Sequence, residues 1–118
     1  MKPMGDERTH YLLALGMAKA TRTDLVDAME TGALDNDAWA RMLHRCRSCG
    51  WPEGCADWVD HQMESGAECP PSCVNQRRFA ELRARSAQAR RDSDIAVEAA
   101  TLAMARAERV MKKAAGAR

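Results

Sequence analysis

The chain is poor in the features that announce an enzyme, a membrane protein or a large apolar core. Aromatic residues make up 4% of its 118 residues: Tyr11, Trp39, Trp51, Trp58 and Phe79. Of the 46% counted as hydrophobic, 22 residues are alanines, and alanine contributes little burial. The core expected of a single domain of this length is therefore thin. No Ser-His-Asp set, phosphate-cradling glycine loop or paired carboxylates can be placed in a pocket, so an ordinary enzyme is not expected. No run reaches the roughly 20 apolar residues that would span a bilayer. No segment alternates in the manner of a strand, and no internal repeat is found.

The cysteines exclude other classes. There are five, an odd number, which argues against a closed disulfide framework. The stretch from Tyr11 to Ala18 is apolar, but Asp6, Glu7 and His10 spoil the beginning of a signal peptide. A reducing, cytoplasmic location is the expectation.

Net charge is close to neutral at +1, yet the halves differ. Residues 1–75 carry 7 Lys and Arg against 12 Asp and Glu, whereas residues 76–118 carry 11 against 5. This describes an acidic head and a basic tail. Charge matching within the chain or a solvated helix face is the plain interpretation. An anionic partner is the sharper one, with Arg77, Arg78, Arg83, Arg85, Arg90 and Arg91 as candidate phosphate contacts.

The pattern is helical almost throughout. Asp6 is placed to cap a helix running to about Ala20, and Thr23-Asp24 to start a short one ended by Gly32. Asp35 is placed to cap a third. Pro52 suits the first position of a fourth, running to about Met63 and ended by Ser65-Gly66. Asn75 then caps a helix reaching about Ala115, which at 1.5 Å per residue is about 60 Å long. A helix of that length is expected to project, bend or meet a partner, and Asp92-Ser93-Asp94 marks a plausible break. The expected fold is all-α: a head of four short helices with a cysteine cluster (residues 1–87) and a helical C-terminal extension (residues 88–118). In the extension, Val97, Ala100, Met104, Ala107, Met111 and Ala114 fall on alternating a and d heptad positions. This seam can pack on the head, pair with itself or dock on another protein.

What the chain does have is Cys46, Cys49, Cys55, Cys69 and Cys73 within 28 residues, spaced C-x2-C-x5-C-x13-C-x3-C. Cys46 closes the third helix, Cys49 follows a short turn, Cys55 lies in the first turn of the fourth, and Cys69 and Cys73 lie in the loop before the long helix. Thiolates from three segments can thus converge. Three chemistries compete. Tetrahedral zinc would take Cys46/Cys49 and Cys69/Cys73 and leave Cys55 spare, with His44 and His61 as substitutes. An iron–sulfur cluster takes four thiolates at uneven spacing. Dithiol exchange at Cys46-Arg47-Ser48-Cys49 is disfavoured, because the pair follows a helix C-terminus, where the dipole raises thiol pKa. The C-x2-C-x5-C spacing in helical surroundings favours a four-iron cluster, with zinc as the alternative. Trp51 and Trp58 would shield the centre or simply pack the core.

That arrangement resembles those of the WhiB-like regulators and the endonuclease III type of DNA glycosylase, although both place the fourth cysteine upstream. A closer resemblance rests on Trp39 to Cys49, Cys55-Ala56-Asp57-Trp58, Cys73-Val74-Asn75 and Phe79-Ala80-Glu81-Leu82, with His10-Tyr11 and Leu25-Val26. Over roughly residues 6–85 these segments resemble a small bacterial cysteine-rich family of unknown function. The resemblance implies a ligand set of Cys46, Cys49, Cys55 and Cys73, with Cys69 as an extra or substitute ligand, and no activity. The functional expectation is a small metal-binding helical protein. An iron–sulfur redox sensor or electron carrier comes first, and a structural zinc module binding protein or nucleic acid second.

Overall fold

The computed structural model describes residues 4–62 and 67–117. Its elements are α1 (Glu7–Ala20), α2 (Leu25–Glu30), α3 (Asn36–Arg47), α4 (Pro52–Gln62) and α5 (Gln76–Gly116). No strand occurs among the described residues. The expected end of α4 at Met63, Ser65 and Gly66 lies outside them. The contacts divide the chain into two units, Met1–Ser86 and Ala87–Arg118, and α5 runs through the boundary.

Aspartates set the helix starts of the head. A short carboxylate accepts from an amide that the first turn leaves unpaired. Asp6 accepts from the Thr9 amide at 2.8 Å, Asp24 from Asp27 at 2.9 Å and Asp35 from Ala38 at 2.7 Å. The cap holds the Asp6 carboxyl below its usual range. Asn75 departs from the expectation. Its position precedes α5, but its buried side chain turns to α3 instead of capping, accepting from Arg45 Nε at 3.0 Å and donating to the Met42 carbonyl at 2.9 Å.

The turn from α1 to α2 is held by buried hydroxyls. Thr21 Oγ1 donates to the Met17 carbonyl at 2.8 Å and lies 2.9 Å from Thr23 Oγ1. Arg22 between them adopts φ 53°, a left-handed conformation that costs energy for a residue with a side chain. The hydroxyl pair holds the turn on both sides of it.

The core of the head joins Met17, Ala18, Ala28, Leu34, Met42, Cys69, Phe79 and Leu82. α1 packs on both α3 and α4. The approach to α4 is close at Gly16, where a Cβ would lie 2.9 Å from Val59 Cγ1. Any larger residue would require the Val59 side chain to give way. Tyr11 and Trp39 meet edge to face with centroids 6.2 Å apart, a favourable aromatic geometry. Within the head, α5 is bound to the α1–α2 turn by Arg83 Nη1 to Thr23 Oγ1 at 3.0 Å and to α2 by Ser86 Oγ to Asp27 Oδ2 at 2.8 Å.

The second unit is a length of helix with no buried residue among those described. The break expected at Asp92-Ser93-Asp94 does not occur, and α5 is continuous there. Alanines fill this stretch, and high helix propensity outweighs three residues that favour caps.

Candidate metal centre

Four thiols face one small apolar pocket. Cys46, Cys49, Cys55 and Cys73 line it together with Leu13, Ala14, Met17, Trp51, Val74, Asn75 and Phe79. The free volume is about 20 Å³. Cys46 comes from the last turn of α3, Cys49 from the turn after it, Cys55 from the first turn of α4, and Cys73 from the loop before α5. The convergence has local causes. The Cys49 amide donates to the Cys46 carbonyl at 3.0 Å, which folds the chain back after α3. Pro52 starts α4 immediately, so Cys55 lies one turn in, its amide bonded to the Trp51 carbonyl at 2.9 Å. The Trp51 indole lies directly against Gly54, leaving no room for a side chain there. The Cys73 amide bonds the Pro70 carbonyl at 3.0 Å, closing a turn that carries Cys73 to the head of α5.

All five cysteines are free thiols. Cys69 is not on the pocket wall. It is buried in the core behind Cys73 and donates a hydrogen bond to the Cys73 sulfur. Among the described residues no group of three or more His, Cys, Asp or Glu stands in position to hold a metal ion. The four pocket thiols share a wall, and one tetrahedral ion with bonds of about 2.3 Å would require them to close in.

The electrostatics separate the thiols. Burial first, and then the neighbouring Cys55, Cys49 and Cys73, push Cys46 up to about 12. Its thiol donates to the His10 carbonyl at 3.6 Å, which further fixes the protonated form. Burial, then Cys73 and Cys49, raise Cys55 to about 11. Cys73 is lowered, because the Cys69 thiol and then the Asn75 amide donate to its sulfur and outweigh the effect of burial. Cys69 is raised, first by giving that hydrogen bond and then by burial. Thiols that disfavour one another's charge in an apolar pocket are an unstable set of anions. A bound cation would reverse that balance, because its own charge dominates such a site.

The other expected residues are elsewhere. His61 is exposed and donates through Nδ1 to the Asp57 carbonyl at 2.7 Å; that bond and the adjacent carboxylates raise its pKa. His44 is exposed at the surface of α3. Trp51 stands in the pocket wall, whereas Trp58 packs on the core. Of the six arginines, Arg78 donates to the Ala33 carbonyl at 3.0 Å and to Glu81 at 2.9 Å, and Arg83 is bound to Thr23. Arg77 and Arg85 are exposed in the head, and Arg90 and Arg91 in the second unit, where Arg91 bonds Gln88 at 2.7 Å.

Asn75 is the residue that sequence reasoning undervalued. It was placed as a helix cap, yet its side chain ties the start of α5 to α3 while its amide serves Cys73. Its position two residues after a cysteine was the available signal. Leu13 and Met17, which wall the pocket with Phe79, carry no sequence mark beyond helical spacing.

An all-α head with a thiol-lined pocket defines the class of domain. More narrowly, the chain belongs to a family of unknown function, DUF6455, whose match covers residues 1–85. No curated protein and no solved structure matches it.

Proposed function

We propose that the head is a four-thiolate metal-binding module and that its centre is an iron–sulfur cluster serving as a redox sensor or electron carrier. The observation that carries this reading is the gathering of Cys46, Cys49, Cys55 and Cys73, from three segments, on one apolar pocket. Iron–sulfur clusters are held by four thiolates, and the polarity of their surroundings tunes their potential. A cluster also spreads its thiolates more widely than one ion does, which suits thiols that are not drawn together around a point. Four thiolates fill the coordination sphere, so the role is structural or electron-transferring, with no catalytic step assigned. No described helix is long and apolar enough to cross a membrane. A reducing compartment such as the cytoplasm suits a site that needs free thiols.

One observation favours zinc as the second reading. The free volume of about 20 Å³ suits a single ion, and a cluster would have to widen the pocket. Structural zinc would then make the head dependent on metal for folding.

Anaerobic purification followed by metal and sulfide analysis decides between them. Brown protein absorbing at about 400 nm, with iron and acid-labile sulfide, supports the cluster. One zinc per chain and no chromophore supports the second reading. Cys55→Ser and Cys73→Ser are expected to lose the bound metal, whereas Cys69→Ser retains it. Protein that holds neither metal under these conditions, and binds none when supplied, sinks both readings.

A further inference from the structure

Cys69 and Cys73 bracket Pro70-Pro71-Ser72. In an extended chain, residues four apart stand about 13 Å from each other at Cα. A disulfide spans only about 4.4–6.8 Å. Here the Cys73 amide bonds the Pro70 carbonyl at 3.0 Å and reverses the chain, and the two prolines restrict its backbone. The Cys69 carbonyl accepts from Gln76 Nε2 at 3.4 Å, which ties the other side of the turn to the start of α5. The Cys69 thiol donates its hydrogen to the Cys73 sulfur, so the two sulfurs are neighbours before any oxidation. Cys46, by contrast, gives its thiol hydrogen to the His10 carbonyl.

Their surroundings give the two sulfurs different parts. Cys69 is 5% exposed and belongs to the core. Cys73 is half-buried and lines the pocket. A reagent entering the pocket meets Cys73 and not Cys69. It must be small, since the free volume is about 20 Å³ and a single water needs roughly 10–15 Å³. Cys46, Cys49 and Cys55 line the same pocket. What Cys73 has besides is a second thiol in hydrogen-bond contact behind it.

We propose that Cys69 and Cys73 are a dithiol that hydrogen peroxide converts to a disulfide, with Cys73 reacting first and Cys69 resolving. In the first step the Cys73 sulfur attacks one peroxide oxygen and the O–O bond breaks. Cys73 becomes a sulfenic acid, and the other oxygen leaves as water with the proton that Cys73 gives up. In the second step the Cys69 sulfur attacks the Cys73 sulfur. The S–S bond forms, the S–O bond breaks, and the hydroxyl leaves as water with the Cys69 proton. The two thiols are oxidised by two electrons and the peroxide is reduced to two waters. The disulfide withdraws Cys73 from the pocket wall. This last consequence bears on metal only through the four-thiolate reading above, on which it rests: a head short of one ligand in four no longer holds its centre.

The test starts from the full chain, reduced and freed of metal by a chelator. Equimolar hydrogen peroxide is added, the remaining thiols are alkylated, and the protein is cut after glutamate. The fragment between Glu68 and Glu81 contains Cys69 and Cys73 and no other cysteine. It is expected unalkylated and two hydrogens lighter, with two of the five thiols lost and then recovered by a thiol reductant. Cys69→Ala is expected to stop at the Cys73 sulfenic acid, which a cyclic 1,3-dione traps at least about tenfold more than in the unaltered chain. Should that variant fail to fold, the fragment from the unaltered chain decides alone. A fragment that keeps both thiols, or a disulfide joining any other pair, overturns the proposal. Zinc uptake separates this outcome from the metal reading. Reduced protein is expected to take up zinc and oxidised protein to take up none until it is reduced. Equal uptake by protein carrying the mapped disulfide overturns the link to metal. Reduced protein that binds neither zinc nor a reconstituted cluster overturns the metal reading instead, and the fragment still decides the disulfide.

Discussion

The two stretches of α5 are one helix under two regimes. From Gln76 to Ser86 it buries Phe79, Leu82 and Ser86 and is tied by side chains to Thr23, in the turn before α2, and to Asp27 of α2. From Ala87 onward no described residue is buried. The first stretch is helical because its apolar face is taken out of water. The second is helical because alanine-rich sequence favours the helix without help. The lesson is that helix content says little about where stability lies. The head holds the cooperative core, and the tail holds local propensity and an uncovered seam.

Four measurements break or sharpen that contrast, in falling order of size. Phe79→Ala removes a fully buried ring and is expected to destabilise the head by about 3–5 kcal/mol in urea unfolding. The tail should keep its helical signal at denaturant concentrations where the head has unfolded. Asn75→Ala removes the buried side-chain bonds to the Met42 carbonyl and to Arg45 and is expected to cost about 1–3 kcal/mol. It should also raise the pKa of Cys73 if it shifts the amide that supports that thiolate, which alkylation rates against pH will report.

The third measurement is pH. Cys46 and Cys55 are raised from an ordinary 9.0 to about 12 and about 11 in the folded metal-free head. The folded state therefore binds more protons than the unfolded state between those values. The stability these thiols contribute is complete below about 9 and is lost as pH rises toward 11–12. Metal-free head should lose stability over that window, and Cys46→Ser should flatten the loss. Metal uptake should run the opposite way and strengthen with pH, since the thiols must release protons to bind. The smallest effect belongs to the tail. Ala99→Gly, off the seam, is expected to reduce tail helicity by about 1 kcal/mol of local stability and to leave the midpoint of head unfolding unmoved.

Much of the fold was legible because its signals are local. Asp6, Asp24 and Asp35 stand where caps must stand, and Pro52 where a helix can begin. The clustering of cysteines was legible in the same way. Less legible were the roles that depend on what lies opposite. Asn75 carries the signature of a cap, but the carbonyl of Met42 and the guanidinium of Arg45 claim its side chain. Arg78 and Arg83 belong to a basic row in sequence, yet Ala33 and Thr23 engage them inside the head.

Sequence alone determined where the helices of the head start and that five thiols lie close along the chain, whereas it marked a break at Asp92-Ser93-Asp94 that α5 does not have. Those properties depend on neighbours within about one helical turn. Only the tertiary structure decided which thiols share a wall. Cys69 and Cys73 are four positions apart, yet one is sealed in the core and the other faces the pocket. That sorting comes from the packing of α1, α3 and α4 around them, which no short window of sequence contains.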